Sequence, residues 1–155
     1  MTLNIVQYPH PALRQENQEV KNPTDAEIQQ FILEMIKTLR ANRGLGLAAP
    51  QVGKNLKIAV IEIDHELFVL INPEIKKLSG EILVMEEGCL SFPGKFLPVP
   101  RYEKAKIKAI DMSGKKQIIR AKGLLARALQ HEIDHLNGVL FIDRTGEPQT
   151  ISKSK

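Results

Sequence analysis

The chain has 155 residues, 43% hydrophobic and 26% charged, which suits one globular domain with a buried core and excludes collagen, coiled-coil and low-complexity architectures. Its 22 Lys and Arg against 18 Asp and Glu leave a charge of +4, which fits anionic neighbours, but two Tyr and no Trp offer little to stack on bases. The apolar runs Ile58 to Ile61 and Leu67 to Ile71 fall far short of the ~18 residues of a membrane span. The N-terminus has no secretory pattern and Cys89 has no partner for an internal disulfide, so the expected location is the cytosol.

In chain order, Tyr8-Pro9-His10-Pro11 predicts a fixed loop, because each proline removes a donor and restrains its predecessor. Thr24 and Glu27 form a capping-box pattern, and Ile28, Phe31, Ile32, Met35, Ile36 and Leu39 recur at helical spacing, predicting an amphipathic helix over 25–42 with Gly44 near its stop. Lys57 to Ile63 and Leu67 to Ile71 read as a hairpin around Asp64-His65-Glu66, ended by Asn72-Pro73. Glu74 to Ser79 and Glu81 to Met85 read as a second strand pair about Gly80, and Lys104 to Ile110 alternates Lys with Ala or Ile as a strand with one wet face. After the turn Asp111-Met112-Ser113-Gly114 come a returning strand, Gln117 to Ala121, a helix from Leu124 to Asn137 closed by Gly138, and a short strand from Val139 to Ile142. Segregated strands and helices favour an α+β fold with antiparallel sheet over a doubly wound one. The polar tail, residues 144–155, lacks helical periodicity and is expected to fray.

Three segments carry chemistry. In His131-Glu132-Ile133-Asp134-His135 two histidines four apart project from one helix face, close enough to share a metal ion, and Glu132 can reach a metal-bound water without being a ligand. Ordinary surface or core histidines are the alternative. Cys89, in Glu86-Glu87-Gly88-Cys89-Leu90-Ser91, would complete a Cys and two His set that leaves the fourth tetrahedral position to water, as catalytic sites do. Its alternatives are an inert buried cysteine and a nucleophile paired with histidine. Gly44-Leu45-Gly46-Leu47-Ala48-Ala49-Pro50-Gln51 is small and apolar and ends in one polar amide; it lacks GK[ST] and follows a helix, so a phosphate cradle is disfavoured and a glycine-rich helix exit stays open.

Together and in this order, the three segments resemble the signature motifs of peptide deformylase, and with the Pro-His-Pro loop and Val99-Pro100-Arg101 the resemblance runs from about residue 5 to residue 143. It implies one catalytic domain over 1–143, with antiparallel sheets packed around a central helix that carries HExxH, acting in a bacterial cytoplasm, with organelle and phage origins left open, on the N-formyl-methionyl end of nascent chains, from which formate is released, with neither DNA nor membrane as a partner. The implied ligands are Cys89, His131 and His135 for one ion per chain, Fe2+ with Zn2+, Ni2+ and Co2+ as alternatives. Metal-bound water would be the nucleophile, Glu132 the general base and acid, and Gln51 with the Leu90 N–H the oxyanion donors. Gly44, Leu45, Gly46, Glu87, Gly88, Arg101, Leu124 and Ala128 are the expected substrate-binding set, with Glu87 and Arg101 also read as charges behind the ligands and Tyr102 as a surface residue. A monomer is favoured, and a basic surface suits proximity to the ribosome. Many bacterial relatives carry a long C-terminal helix that this short tail lacks. Two rivals stand beside this reading: an HExxH zinc peptidase, which commonly takes a third ligand downstream where no histidine follows His135, and a metal-stabilised binding module, for which His10 or His65 would have to supply a fourth ligand.

Overall fold

Residues rich in Val, Ile and alternating Lys form one five-stranded antiparallel sheet in a computed structural model that describes residues 2–145. The strands are β1 (Gly46–Ala48), β2 (Ile58–Ile63), β3 (Glu66–Cys89), β4 (Phe92–Ile110) and β5 (Lys116–Lys122), hydrogen-bonded in that order. Two helices, α1 (Ala26–Ala41) and α2 (Gly123–Leu136), cover the sheet, so the α+β expectation is met. Apart from Arg144 and Thr145, the polar tail lies outside the described residues. Among the described residues no helix is long and apolar enough to cross a membrane.

The sheet alternates its residues between two cores. In β2, Ala59 and Ile61 join the cluster under α2 with Leu70, Ile107, Leu129 and Ile133, whereas Ile58 and Val60 join the cluster under α1 with Ile32, Met35 and Leu39. Both faces of β2 are therefore buried, which explains its unbroken apolar run. In β4 and β5 only the α2 face is covered, by Ala105, Ile107, Ala109, Ile119 and Ala121; the opposite face is carried by the lysines of the alternating pattern.

Several boundaries differ from expectation for local physical reasons. The α1 cap is Asp25, whose carboxylate accepts the Glu27 N–H at 3.2 Å, rather than Thr24. The hairpin pairing of β2 with β3 ends at Ile71, just before Asn72-Pro73, as expected, but the strand itself does not end there and Gly80 turns no second pair: both sites lie inside the single strand β3, at register shifts against β4 between Ile71 and Glu74 and between Ser79 and Ile82. Asn72 and Gly80 take positive φ, 52° and 81°, as bulged residues can, and a bulge also tolerates the missing N–H of Pro73. Strand β4 starts at Phe92 rather than Lys104, and Val139 to Ile142 forms no strand; a 3-10 turn spans Phe141–Asp143 there. Tyr102 is half-buried against the α2 cluster, and its backbone N–H and C=O bracket the Gln130 amide at 3.3 and 2.9 Å, which docks α2 on β4. Leu129 is fully buried in that cluster. Leu129→Ala is expected to cost about 3 kcal/mol in urea unfolding.

Candidate metal centre

Strand β3 ends at Cys89, and the two residues Leu90 and Ser91 turn the chain into β4. Helix α2 brings His131 and His135 to the same place. The Cys89 sulfur and one ring nitrogen from each histidine all lie within 4.8 Å of one another. Cys89 Sγ is 3.4 Å from His135 Nε2. The spacing of two histidines one helical turn apart thus has the consequence expected of it, and the upstream cysteine is the third member.

A buried carboxylate sets the orientation of this group. Glu87 Oε1 accepts from His131 Nδ1 at 2.9 Å, which leaves His131 Nε2 for the centre. The same carboxylate takes Arg101 Nε at 2.7 Å, Arg101 Nη2 at 3.1 Å and Arg127 Nη1 at 2.6 Å. Burial pushes the Glu87 carboxyl up, but hydrogen bonds from His131 and Arg101 and the guanidinium charge outweigh it and hold the group well below the usual carboxylate range. Arg101 also donates to Asp134 Oδ2 at 2.7 Å, and Asp134 takes Arg144 at 2.9 and 3.1 Å. Arg101 was grouped with the substrate contacts; at 1% exposure it does not line the cleft, and it acts behind the ligands instead.

Glu132 points into the site without a partner. Among the described residues its Oε1 and His135 Nδ1 are the buried side-chain polar atoms with no hydrogen bond. Burial lifts Glu132 to about 7, with the charge of His131 pulling the other way. For His131, burial alone would lower the imidazole, but hydrogen bonds with Cys89 and Glu87 prevail and raise it to about 10; His135 is held well below its ordinary value by burial and by the His131 charge. A cation entering here would displace the His131 proton, as ligation requires. One thiolate and two imidazoles are a donor set for Fe2+, Zn2+, Ni2+ or Co2+, and three donors leave a fourth tetrahedral position to water, so the residues fit a metal.

The glycine-rich segment supplies the opposite wall. Gly46 opens β1, and a Cβ there would lie 2.8 Å from Glu132 Cδ and 2.9 Å from Cγ, so only glycine lets the carboxylate pass. Gln51 sits in the 3-10 turn Ala49–Val52. Its Oε1 accepts the Ala48 N–H at 2.9 Å, which turns Nε2 toward Ser91 Oγ at 3.2 Å and Cys89 Sγ at 3.4 Å. These groups line a cleft of about 770 Å³. Of the expected residues, Gly44, Leu45, Gly46, Gln51, Glu87, Gly88, Cys89, Leu90, Leu124, Ala128, His131 and Glu132 are all on its lining, with Ala128 a buried wall and Leu124 on the rim at 46% exposure.

Sequence reasoning missed Arg127, Asp134, Arg144, Ser91 and Phe96. Arg127 stands four residues before His131, and a charged residue on the ligand face of a helix was the available signal. Phe96, 64% exposed, lies with its ring against Gly88 at the cleft mouth; nothing in its spacing announces this.

Three donors able to hold one metal ion, with a buried carboxylate in the same cleft on an α+β frame, are the equipment of a metal-dependent hydrolase, and the relatives of the chain carry that class. The family model described as polypeptide deformylase matches residues 2–150. Peptide deformylase of Dictyoglomus turgidum is 41% identical over 155 residues, covering 100% of both chains, and that of Dictyoglomus thermophilum is 45% identical over 145 residues, covering 94% of each. The solved peptide deformylase of Thermotoga maritima superposes with a TM-score of 0.91 at 38% identity over 94% of this chain and 99% of that one. The enzyme of Synechococcus elongatus in complex with actinonin gives 0.90 at 43% identity over 94% and 79%. The chain belongs to the polypeptide deformylase family.

Glu87→Gln should leave Arg101 and Arg127 under-compensated and His131 loosely oriented. Chelator competition is expected to show roughly 10–100-fold weaker metal retention, and urea unfolding a loss of about 3 kcal/mol.

Proposed function

We propose that the protein removes the formyl group from the N-terminal formyl-methionine of nascent chains, with water as co-substrate and formate and a free amine as products. The observation that carries this reading is the buried, unpartnered Glu132 carboxylate in the same cleft as the Cys89 and His131 members of a Cys89, His131 and His135 donor set. Residues 1–143 are taken as the single catalytic domain.

A divalent cation held by Cys89, His131 and His135 would supply Lewis-acid charge, polarising the formyl carbonyl and acidifying water. Glu132 then takes a proton from the attacking water and returns it to the departing amine nitrogen, a double role suited to a carboxyl lifted to about 7. Gln51 Nε2, fixed by the Ala48 N–H on its other end, donates to the developing oxyanion together with the Leu90 N–H. Glu87 holds the His131 ring through Nδ1, and Arg101 and Arg127 hold Glu87.

The substrate backbone has a place to pair. Strand β1 is hydrogen-bonded to β2 on one side only and lies at the sheet edge beside the cleft, so an extended peptide can add there as a strand, read mainly through its main chain. Ala128 and the aliphatic part of Leu124 would border the methionine side chain, with Leu45 and Gly88 flanking the entrance. We take the native ion to be Fe2+, the protein to be a cytoplasmic monomer, and its place of work to be near the ribosome, where its substrate emerges. No contact with DNA or membrane is part of this reading.

Anaerobically purified protein is expected to release formate from formyl-Met-Ala-Ser and nothing from the unformylated peptide. Glu132→Ala should keep its metal content and lose turnover; equal turnover in the two proteins would remove Glu132 from the mechanism. Gln51→Ala is expected to lower kcat roughly 10²–10³-fold with metal retained. Metal analysis of the anaerobic protein should find iron, and exposure to air should reduce activity in step with thiol oxidation, read by mass spectrometry at Cys89. Retained activity in air would argue against iron and for zinc, with metal analysis separating zinc from nickel and cobalt.

A further inference from the structure

On the face of β3, β4 and β5 turned away from α2, a shallow concavity of about 520 Å³ is lined by Lys77, Lys104, Lys106, Arg120 and Lys122 together with small residues. No carboxylate lines it, and among the described residues none of the five cations enters an ion pair. The register sets like charges directly opposite one another: Lys104 faces Lys122, Lys106 faces Arg120, and Lys77 faces Lys106 from the other side. Such pairs cost stability in a free sheet, and a solvated face could intersperse acids at no loss. Elsewhere on these strands the chain does so, with Glu74 opposite Lys108.

We infer that this face is a docking surface for the phosphate backbone of double-helical RNA. Residues two apart on a strand stand ~6.8 Å from one another and cross-strand neighbours ~5 Å, so the five charges form a lattice suited to a repeating polyanion rather than a single anion. The concavity contains no aromatic side chain to stack splayed bases and no large apolar side chain to enter a lipid layer, which favours duplex RNA over single strands and membranes. None of its residues lines the catalytic cleft, so RNA seated there leaves the cleft open to a peptide. The inference rests on the deformylase reading only for the presence of RNA near the substrate; the surface stands apart from the chemistry.

The test is fluorescence anisotropy of the full chain with a labelled RNA duplex of about 16 base pairs, titrated from about 50 to about 200 mM salt. With five phosphate contacts the slope of log K against log salt is expected near about −4, and the combined variant Lys104→Gln, Lys106→Gln, Arg120→Gln should flatten it by about 2–3. That variant should release formate at the wild-type rate, and its melting temperature should not fall, since like-charge neighbours have been removed. Wild-type protein that fails to bind, or a variant with an unchanged slope, overturns the proposal. Tighter binding to phosphatidylserine vesicles or to polyglutamate than to the duplex also overturns it, assigning the face to lipid or to an acidic protein. Protein that binds the duplex yet releases no formate would sink the deformylase reading and leave this surface standing.

Discussion

The carboxylate of Glu87 is the point at which β3, β4 and α2 are joined. It receives Arg101 from β4 and Arg127 and His131 from α2, all of them buried. Arg101 passes the connection to Asp134, one residue before the ligand His135, and Asp134 passes it to Arg144 beyond the helix. Desolvation offsets most of the attraction in such a network, so its contribution to net stability is modest; removal of any one member leaves a charge stranded in a low-dielectric interior. Position, rather than stability, is what the network supplies. It determines where the backbone of α2 lies against the end of β3, and hence where two imidazoles lie against one sulfur.

Because that network exists, α2 can be buried nearly all round. From Ala126 to Leu136 each residue is buried, including Arg127, Gln130, His131, Glu132, Asp134 and His135. An amphipathic helix would lay one face on the sheet and expose the other. Here the apolar face packs on Leu70, Ile107 and Ile119, and the polar face turns inward to Glu87, Arg101 and the cleft. Every polar side chain on it has a partner except the carboxylate of Glu132 at Oε1 and the ring of His135 at Nδ1. That unpartnered oxygen belongs to a residue lining the same cleft as Cys89 and His131. Gly46 completes the arrangement by having no side chain where Glu132 must stand.

Much of this was readable in the amino-acid order. Helix α1 and the β2 strand follow from periodicity, and Cys89, His131, Glu132 and His135 from residue types and spacing. The long strand was not readable, because Asn72-Pro73 and Gly80 are turn signals by every local rule, and only the ladder with β4 converts them into bulges. The capping-box pattern points to Thr24 because it looks three residues ahead, whereas the carboxylate that caps the helix, Asp25, reaches Glu27 N–H two residues on. Arg101 carried a motif signal but no sign of depth, since burial of a guanidinium depends on partners that are distant in the chain. Asp134 and Arg144 gave no signal for the same reason: their role is defined by Arg101, which neither approaches until the sheet has wrapped the helix.

The bulges along β3 also bear on how the protein comes together. The strand begins in the core beside β2 and ends at Cys89, 42 residues before His131, so the sulfur joins the histidines only where the end of β3 meets α2. Helix α2 alone brings the two histidines together, whereas the third donor depends on the long-range register of β3. An ion held by all three would therefore tie the end of β3 to α2, and its binding free energy would add to the stability of the folded chain.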